Sequence, residues 1–197
     1  MAGQTPSQTV GPFFAYGLAP ELYHYPYRSA VTDQPLQRDT EGERIRIEGR
    51  VLDGKEEPIP DAMIEIWQAN AHGRYNHPAD QRQDNRLDPA FKGFSRTGTG
   101  VDAERRFAVD TVKPGAIGDG QAPHLNLILF MRGLLTHLYT RIYFSDEAAN
   151  AADPVLGRVP ADRRATLIAQ RDATPGGVVY RIDLHMQGPH ETVFFDV

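Results

Sequence analysis

The chain has 197 residues, of which 40% are hydrophobic and 24% are charged, and it contains no cysteine. This composition is ordinary for a globular protein, and the length is enough to bury a substantial core in a single domain. The lack of cysteine excludes disulfides, thiolate metal sites and a catalytic thiol. The net charge of −5 gives no support for nucleic-acid binding, which usually leaves a basic footprint.

The first 40 residues show no sustained periodicity and are rich in Pro, Gly, Gln and Tyr. Disordered tails are usually poor in aromatic residues, whereas this segment contains Phe13, Phe14, Tyr16, Tyr23, Tyr25 and Tyr27. We therefore expect an extended N-terminal arm at 1–40 that packs on its own domain or on a partner chain. The sandwich core is expected at 41–197, so that 1–197 form one domain.

The sequence has no feature of a secreted or membrane protein. Its first residues lack the charged and apolar regions of a signal peptide. No apolar run approaches the roughly 20 residues that span a bilayer. We expect a cytoplasmic protein.

From Glu43 onward the hydrophobic pattern has a period of two. Ile45, Ile47, Gly49 and Val51 alternate with charged residues, which predicts a half-buried strand. Further strands are predicted at 62–70, 105–111, 125–130, 138–144, 178–186 and 192–195. Short strands separated by Gly and Pro turns are typical of an antiparallel β-sandwich or barrel.

Two segments have helical character. Ser145, Asp146 and Glu147 can cap a short helix that runs to Ala152. The segment 160–171 has the pattern of a helix of about three turns. We expect a mainly β protein with one or two short helices.

Two segments resemble the iron-binding signature of the intradiol ring-cleavage dioxygenases. The first runs from Glu65-Ile66-Trp67-Gln68-Ala69-Asn70 to Gly73 and Tyr75, and the second is Pro123-His124-Leu125-Asn126. The family places one tyrosinate after the Trp-Gln-Ala stretch, a second after a Lys-Pro-Gly turn, and two imidazoles on a His-x-His strand. Here Tyr75 and His124 match two of the four positions.

The other two positions carry no equivalent ligand. The turn at 112–118 contains no tyrosine, Asn126 replaces the second histidine, and Gln121 stands nearest to the family's catalytic arginine. Ferric iron favours anionic oxygen donors and imidazole. Here an alkyl side chain stands in place of one anionic tyrosinate, and an amide stands in place of one imidazole. The site is therefore expected to hold no iron. Tyr75, His124 and Asn126 are therefore interpreted as vestigial metal-site positions.

The resemblance implies a prealbumin-like antiparallel β-sandwich and the role of a non-catalytic alpha chain. Its expected partner is a homologous beta chain, present in equal number in a hetero-oligomer. That beta chain would hold Fe(III) through two tyrosines and two histidines. The expected substrate of the complex is protocatechuate, a catechol with a carboxylate, cleaved with O2. The C-terminal Glu191-Thr192-Val193-Phe194-Phe195-Asp196 is typical of the alpha chain.

Four residues are expected to face the substrate. Arg132 follows the apolar run that ends at Met131, and a guanidinium there can bind a carboxylate through two hydrogen bonds. The resemblance implies that Arg132 lies at an active site shared with the beta chain. It also implies that Thr9, Gly11 and Pro12 line the same pocket.

Other interpretations remain open. Tyr75 and His124 can be simple packed residues, and the local cluster of His72, Tyr75 and His77 can be solvated loop residues. An autonomous enzyme with altered ligands would use Tyr75, His124 and His137 or His185. A sandwich that acts only as a scaffold or binding module would need no beta chain. The apolar terminus Val193-Phe194-Phe195 is expected to be exposed and to favour a partner.

Overall fold

The structure is a computed structural model that describes residues 9–11, 14–31, 34–100 and 102–197. Its described part contains one α-helix and nine strands: α1 (Phe14–Leu18), β1 (Arg44–Leu52), β2 (Met63–Gln68), β3 (Phe94–Gly98), β4 (Arg106–Val112), β5 (His124–Phe130), β6 (Leu138–Phe144), β7 (Ile168–Thr174), β8 (Gly177–Arg181) and β9 (Leu184–His185). Short 3₁₀ helices lie at Pro20–Tyr23, Ala148–Ala152, Leu156–Arg158 and Arg164–Leu167.

The strands form a path in the order β3-β2-β5-β6-β7-β8-β1-β4, and β9 also pairs with β1. The two halves of this path, β3-β2-β5-β6 and β7-β8-β1-β4, pack face to face and bury one main hydrophobic core between them. Most pairs are antiparallel, but β6–β7, β1–β8 and β1–β9 are parallel. The predicted mainly β sandwich is confirmed, and its sheet is mixed instead of wholly antiparallel.

Period-two alternation builds this core, because successive side chains of a strand point to opposite faces. The inner face of the first half carries aliphatic residues from β2 and β5, and the second half supplies aliphatic and aromatic residues from β1, β4 and β8. These side chains are at most 4% exposed: Ile64, Ile66, Leu125, Leu127, Leu129, Ile45, Ile47, Phe107, Val109 and Tyr180. The outer face of β2, β5 and β6 is thereby left for polar and aromatic side chains.

The prediction of a three-turn helix at 160–171 is wrong. Only the 3₁₀ helix Arg164–Leu167 forms there, and β7 begins at Ile168. Ile168 and Ala169 pair with Tyr143 and Phe144 of β6, so tertiary strand pairing overrides the local helical pattern. The other predicted helix is present as the 3₁₀ helix Ala148–Ala152, where the Glu147 side chain accepts a hydrogen bond from the Ala149 amide.

The ends of several strands also differ from expectation. β3 is missing from the prediction, and the strand predicted at 178–186 divides into β8 and β9. At 192–195 only an isolated bridge forms, between Phe195 and Tyr139. Val193, Phe194 and Phe195 are half-buried against the two hydrophobic clusters, so the expected exposed apolar terminus is wrong.

The described part of the N-terminal segment packs on the outer face of the first half. Ala15 and Ala19 are buried, and the Phe14 ring lies 5.6 Å from the Phe130 ring. Arg96, which forms an ion pair with Glu65, also donates to the Leu18 carbonyl at 3.4 Å. In the ranges that the structure describes, no helix has the length and hydropathy needed to cross a membrane.

Gly49 provides a test of the close packing around β1. A Cβ atom at this position would lie 1.6 Å from the Ile182 carbonyl oxygen, which belongs to the backbone and cannot rotate away. We expect Gly49→Ala to lower the free energy of unfolding by about 3 kcal/mol, because overpacking forces the backbone to shift. Urea denaturation measures this loss.

The matched control is Gly157→Ala, since a Cβ at Gly157 has no heavy atom within 4 Å. It should change stability little. Equal stability of the two variants would contradict the close approach of Ile182 to β1.

Candidate functional site, a remnant metal site and a separate arginine cluster

The strand register places the vestigial positions side by side on the outer face. Trp67 of β2 lies opposite Asn126 of β5, and Asn126 lies opposite Arg141 of β6. Two residues earlier on β5, His124 lies opposite Tyr143. Directly opposed residues in an antiparallel ladder project on the same side, with Cβ atoms about 5 Å apart. We refer to Tyr75, His124 and Asn126 as the remnant metal site.

Tyr75 reaches this face from the loop after β2. The Asn126 amide Nδ2 donates to the Tyr75 hydroxyl at 3.0 Å and to the Trp67 carbonyl at 3.2 Å. The Tyr75 ring stacks on Trp67, with centroids 5.5 Å apart and planes 17° apart. Burial raises the pKa of Tyr75, although the hydrogen bond from Asn126 and the charge of Arg141 act in the opposite direction. In the metal-free chain Tyr75 is therefore a neutral phenol.

His124 is 2% exposed and has a defined tautomer. Its Nδ1 lies 2.8 Å from the Ala122 carbonyl oxygen. A carbonyl can only accept, so Nδ1 carries the proton and donates, and Nε2 keeps its lone pair. Among the described residues this buried Nε2 has no hydrogen-bond partner. Metal-binding histidines use the same arrangement, in which the second nitrogen donates to a carbonyl.

Arg141 is a neighbour of the remnant site that the sequence analysis missed. It donates to Gln121 Oε1 at 2.9 Å and to the Tyr143 hydroxyl at 3.4 Å. Tyr143 in turn donates to Asp153 at 3.1 Å. Burial, and after it the positive charge of Arg141, lower the pKa of His124 to about 4. The position of Arg141 beside the remnant metal site follows from the pairing of β5 with β6. Aligning these two strands in the sequence would therefore have identified Arg141.

Asp153 fixes the backbone that precedes His124. Its carboxylate accepts hydrogen bonds from the Ala122 and Leu156 amides, both at 2.7 Å. Burial by itself raises the pKa of Asp153, but these backbone donors outweigh it and leave the pKa below the ordinary value. The ionised Asp153 carboxylate thus fixes Ala122, whose carbonyl accepts the hydrogen bond from His124 Nδ1.

The turn that lacks the second tyrosine lies next to Tyr75. Ile117 of this turn, Trp67 and Tyr75 line one open cavity of about 440 Å³. Arg82 closes the loop, because it donates to the Ile117 and Gly73 carbonyls and forms an ion pair with Asp80. The sequence does not indicate this role of Arg82, because it depends on contacts between loops that have no sequence signal.

The residues of the remnant site do not form a ferric ligand set. His124 Nε2 and the Tyr75 oxygen are suitable donors, but Asn126 is an amide that donates to two oxygens, and the Ile117 side chain offers no ligand atom. No group of three or more His, Cys, Asp or Glu side chains in the described ranges is arranged to hold a metal. Ferric iron requires harder, anionic donors than these.

The histidines proposed for an altered metal site lie elsewhere. His137 precedes β6, about 20 Å along the sheet from the Tyr143 position that faces His124, and it contacts Tyr139 at 2.7 Å. His185 lies on β9 beside β1, next to the ring of His190. His72 pairs with Glu41. The structure therefore places His137 and His185 away from Tyr75 and His124, whereas His77 lines the same cavity as Tyr75.

The expected substrate-side residues lie at the opposite end of β5. Arg132 is eight residues after His124, roughly 25 Å along a strand. The Gly133 amide donates to the Thr9 hydroxyl at 3.3 Å, so Thr9 and the Arg132 segment meet. Arg132 Nε forms an ion pair with Asp61. Gly11 is exposed and its carbonyl accepts from the Phe14 amide at 3.1 Å.

We refer to Thr9, Gly11, Asp61 and Arg132 as the Arg132 cluster. Pro12, the other expected member, lies outside the described residues. Because the cluster is distant from the remnant metal site, Arg132 cannot serve a ligand bound at Tyr75 and His124 of the same chain.

The fold and the remnant site together define a member of the intradiol dioxygenases. A family model described as Dioxygenase matches residues 19–188, so the chain belongs to this family. It is similar to the dioxygenase domain of a dioxygenase carbohydrate-binding protein fusion from Streptomyces sp. SirexAA-E, with a TM-score of 0.59 and 20% identity. That match covers 86% of this chain and 96% of the other.

Two curated relatives bear on the role of the chain. It is 55% identical to the protocatechuate 3,4-dioxygenase alpha chain of Burkholderia cepacia, over 98% of both chains. It is 38% identical to the protocatechuate 3,4-dioxygenase beta chain of the same organism, over 77% of this chain and 67% of that one. Intradiol dioxygenases use ferric iron, and this two-chain enzyme contains both homologous chains.

The buried His124 gives a pH-dependent stability. In the unfolded chain its pKa is near 6.5, whereas in the fold the pKa is about 4. Between these values the unfolded state binds a proton that the folded state does not. Stability from this source is therefore present above pH 6.5 and is lost as the pH falls toward 4, by about 3 kcal/mol in total.

Urea denaturation of the isolated chain at a series of pH values measures this loss. His124→Asn should flatten the profile between pH 6.5 and 4. The exposed control His190→Asn should keep the profile of the unaltered chain. Identical profiles for all three proteins would mean that His124 is not buried as a neutral imidazole.

Proposed function

We propose that the chain is the alpha subunit of a protocatechuate 3,4-dioxygenase. The complex cleaves protocatechuate with O2 to 3-carboxy-cis,cis-muconate, a step of aromatic catabolism in the beta-ketoadipate pathway. The observation that carries this proposal is the separation of two groups of residues: a remnant site with no ferric ligand set, and an exposed arginine roughly 25 Å away. The 55% identity to an alpha chain supports it.

The partner in this proposal is the homologous beta chain, which holds the ferric iron through two tyrosines and two histidines. The iron, when bound there, activates the catechol for attack by O2. The alpha chain binds no iron and has no catalytic residue of its own. Alpha and beta chains assemble in equal numbers, since each beta pocket needs one Arg132 cluster to complete it.

The Arg132 cluster would form one wall of the shared pocket. The Arg132 side chain is 57% exposed, and its terminal nitrogens can donate two hydrogen bonds to the substrate carboxylate. Thr9, Gly11 and Pro12 would line the pocket beside it and exclude water. Orientation of a bound reactant is a catalytic contribution that needs no chemistry from this chain.

Exposed apolar groups, one of them three residues from Arg132 in the sequence, favour a partner chain. Leu135, three residues after Arg132, is 68% exposed, and Tyr27 of the N-terminal segment is 69% exposed. Aromatic groups are enriched at interface cores. We infer that residues 1–40 form an arm that contributes to the interface, and that 41–197 form the single sandwich core.

Replacement of Arg132 tests this proposal in the assembled alpha–beta complex. Arg132→Ala should raise KM for protocatechuate about tenfold or more and change kcat much less, because a charge-assisted pair with the substrate carboxylate is lost. Steady-state oxygen uptake measures both constants. Arg132→Lys should show an intermediate KM, since it keeps the charge without the planar fork.

The control variant is Arg158→Ala, which removes an exposed arginine near the Leu156–Arg158 3₁₀ helix. It should leave both constants unchanged. A KM for Arg132→Ala equal to that of the control would remove Arg132 from the substrate site.

A further inference from the structure

Asp61 faces Arg132 across the end of the β2–β5 ladder. The last pair of this ladder joins Met63 to Phe130, and Asp61 and Arg132 each lie two residues beyond it, in the turns that flank the two strands. The Asp61 carboxylate forms an ion pair with Arg132 Nε. The Asp61 side chain is 10% exposed and the Arg132 side chain is 57% exposed, so the carboxylate is the buried partner and the guanidinium the accessible one.

The backbone around Asp61 is rigid. Pro58 and Pro60 restrict φ just before it. Ala62, the next residue, is fully buried, and its amide donates to the Thr99 hydroxyl at 3.1 Å. On the other side, the Gly133 amide binds the Thr9 hydroxyl. Both members of the ion pair therefore extend from backbone that is held by further hydrogen bonds.

This contact uses only one side of the guanidinium. Asp61 engages Nε, and in the described part of the chain Nη1 and Nη2 donate to no other residue. A guanidinium is planar, so fixing the Nε edge also fixes the direction of the outer edge. That outer edge has the spacing to bind a second carboxylate through two parallel hydrogen bonds.

We propose that Asp61 is a positioning residue: its ion pair with Arg132 Nε holds the guanidinium so that Nη1 and Nη2 face the substrate carboxylate. This inference rests on the proposed function, in which Arg132 binds that carboxylate. Asp61 does not touch the substrate. The ion pair restricts the rotamers of Arg132 before the substrate binds, so less conformational entropy is lost on binding. Because only a carboxylated catechol uses Arg132, this favours carboxylated catechols over catechol itself.

The experiment uses the assembled complex with four alpha variants: Asp61→Ala, Asp61→Asn, Arg132→Ala, and the double variant Asp61→Ala with Arg132→Ala. Oxygen uptake gives KM and kcat for protocatechuate. Catechol, which has no carboxylate, is assayed as a competitive ligand to give its inhibition constant. Iron content and thermal stability of each complex confirm assembly.

We expect Asp61→Ala to raise KM for protocatechuate about fivefold to tenfold with kcat within twofold, and to leave the catechol constant unchanged. Asp61→Asn keeps the size of the side chain but removes its charge, so it should also raise KM, because the ion pair with Nε is lost. The double variant should match Arg132→Ala alone, since Asp61 acts only through Arg132. The control Asp183→Ala breaks a different ion pair, with Arg50, and should leave KM unchanged.

Each contrary result has a distinct meaning. If Arg132→Ala leaves KM unchanged, the proposed function of Arg132 fails. If Arg132→Ala raises KM but Asp61→Ala does not, or if the two effects add in the double variant, only the role of Asp61 is overturned. An equal weakening of catechol binding would overturn it too. Loss of assembly in both Asp61 variants would show that Asp61 is structural and would also overturn the inference.

Discussion

The antiparallel pairing of β2 with β5 is the constraint on which the rest of the structure depends. It buries Ile64, Ile66 and the leucines of β5 on one face and leaves the other face for the remnant metal site. The same register sets Trp67 beside Asn126 at one end, and at the other end the turns beyond the ladder bring Asp61 to Arg132. A slip of one residue would reverse both faces, so the core and both groups of polar residues depend on a single alignment.

The side chains of the remnant site pack against one another and do not form a ferric ligand set. Asn126 now ties Tyr75 to the sheet through a hydrogen bond to a neutral phenol, and Tyr75 stacks on Trp67. His124 retains the tautomer of a metal ligand, but it is held beside Arg141 and buried as a neutral imidazole. The residues that would complete an iron site therefore serve as a structural layer on the outer face of the sheet.

The sequence predicts those parts of the fold and of the remnant site that depend on a single hydrophobic period or a single motif. The alternation of Ile45, Ile47 and Val51 predicts β1, and the matched motifs place Tyr75 near Asn126. β3 could not be predicted, because Ser95 and Thr97 are polar residues that are buried by pairing. The helix expected at 160–171 is absent for a similar reason. The Asp61–Arg132 contact joins two turns that no local pattern brings together.

The most direct test of the central claim is the iron content of this chain purified alone, compared with that of the chain co-expressed with its beta partner. The remnant site predicts a colourless, metal-free chain alone, with iron and ring-cleaving activity only in the complex. Stoichiometric iron in the isolated chain would contradict the account, because Tyr75, His124, Asn126 and Ile117 would then hold a metal that their donor atoms do not suit.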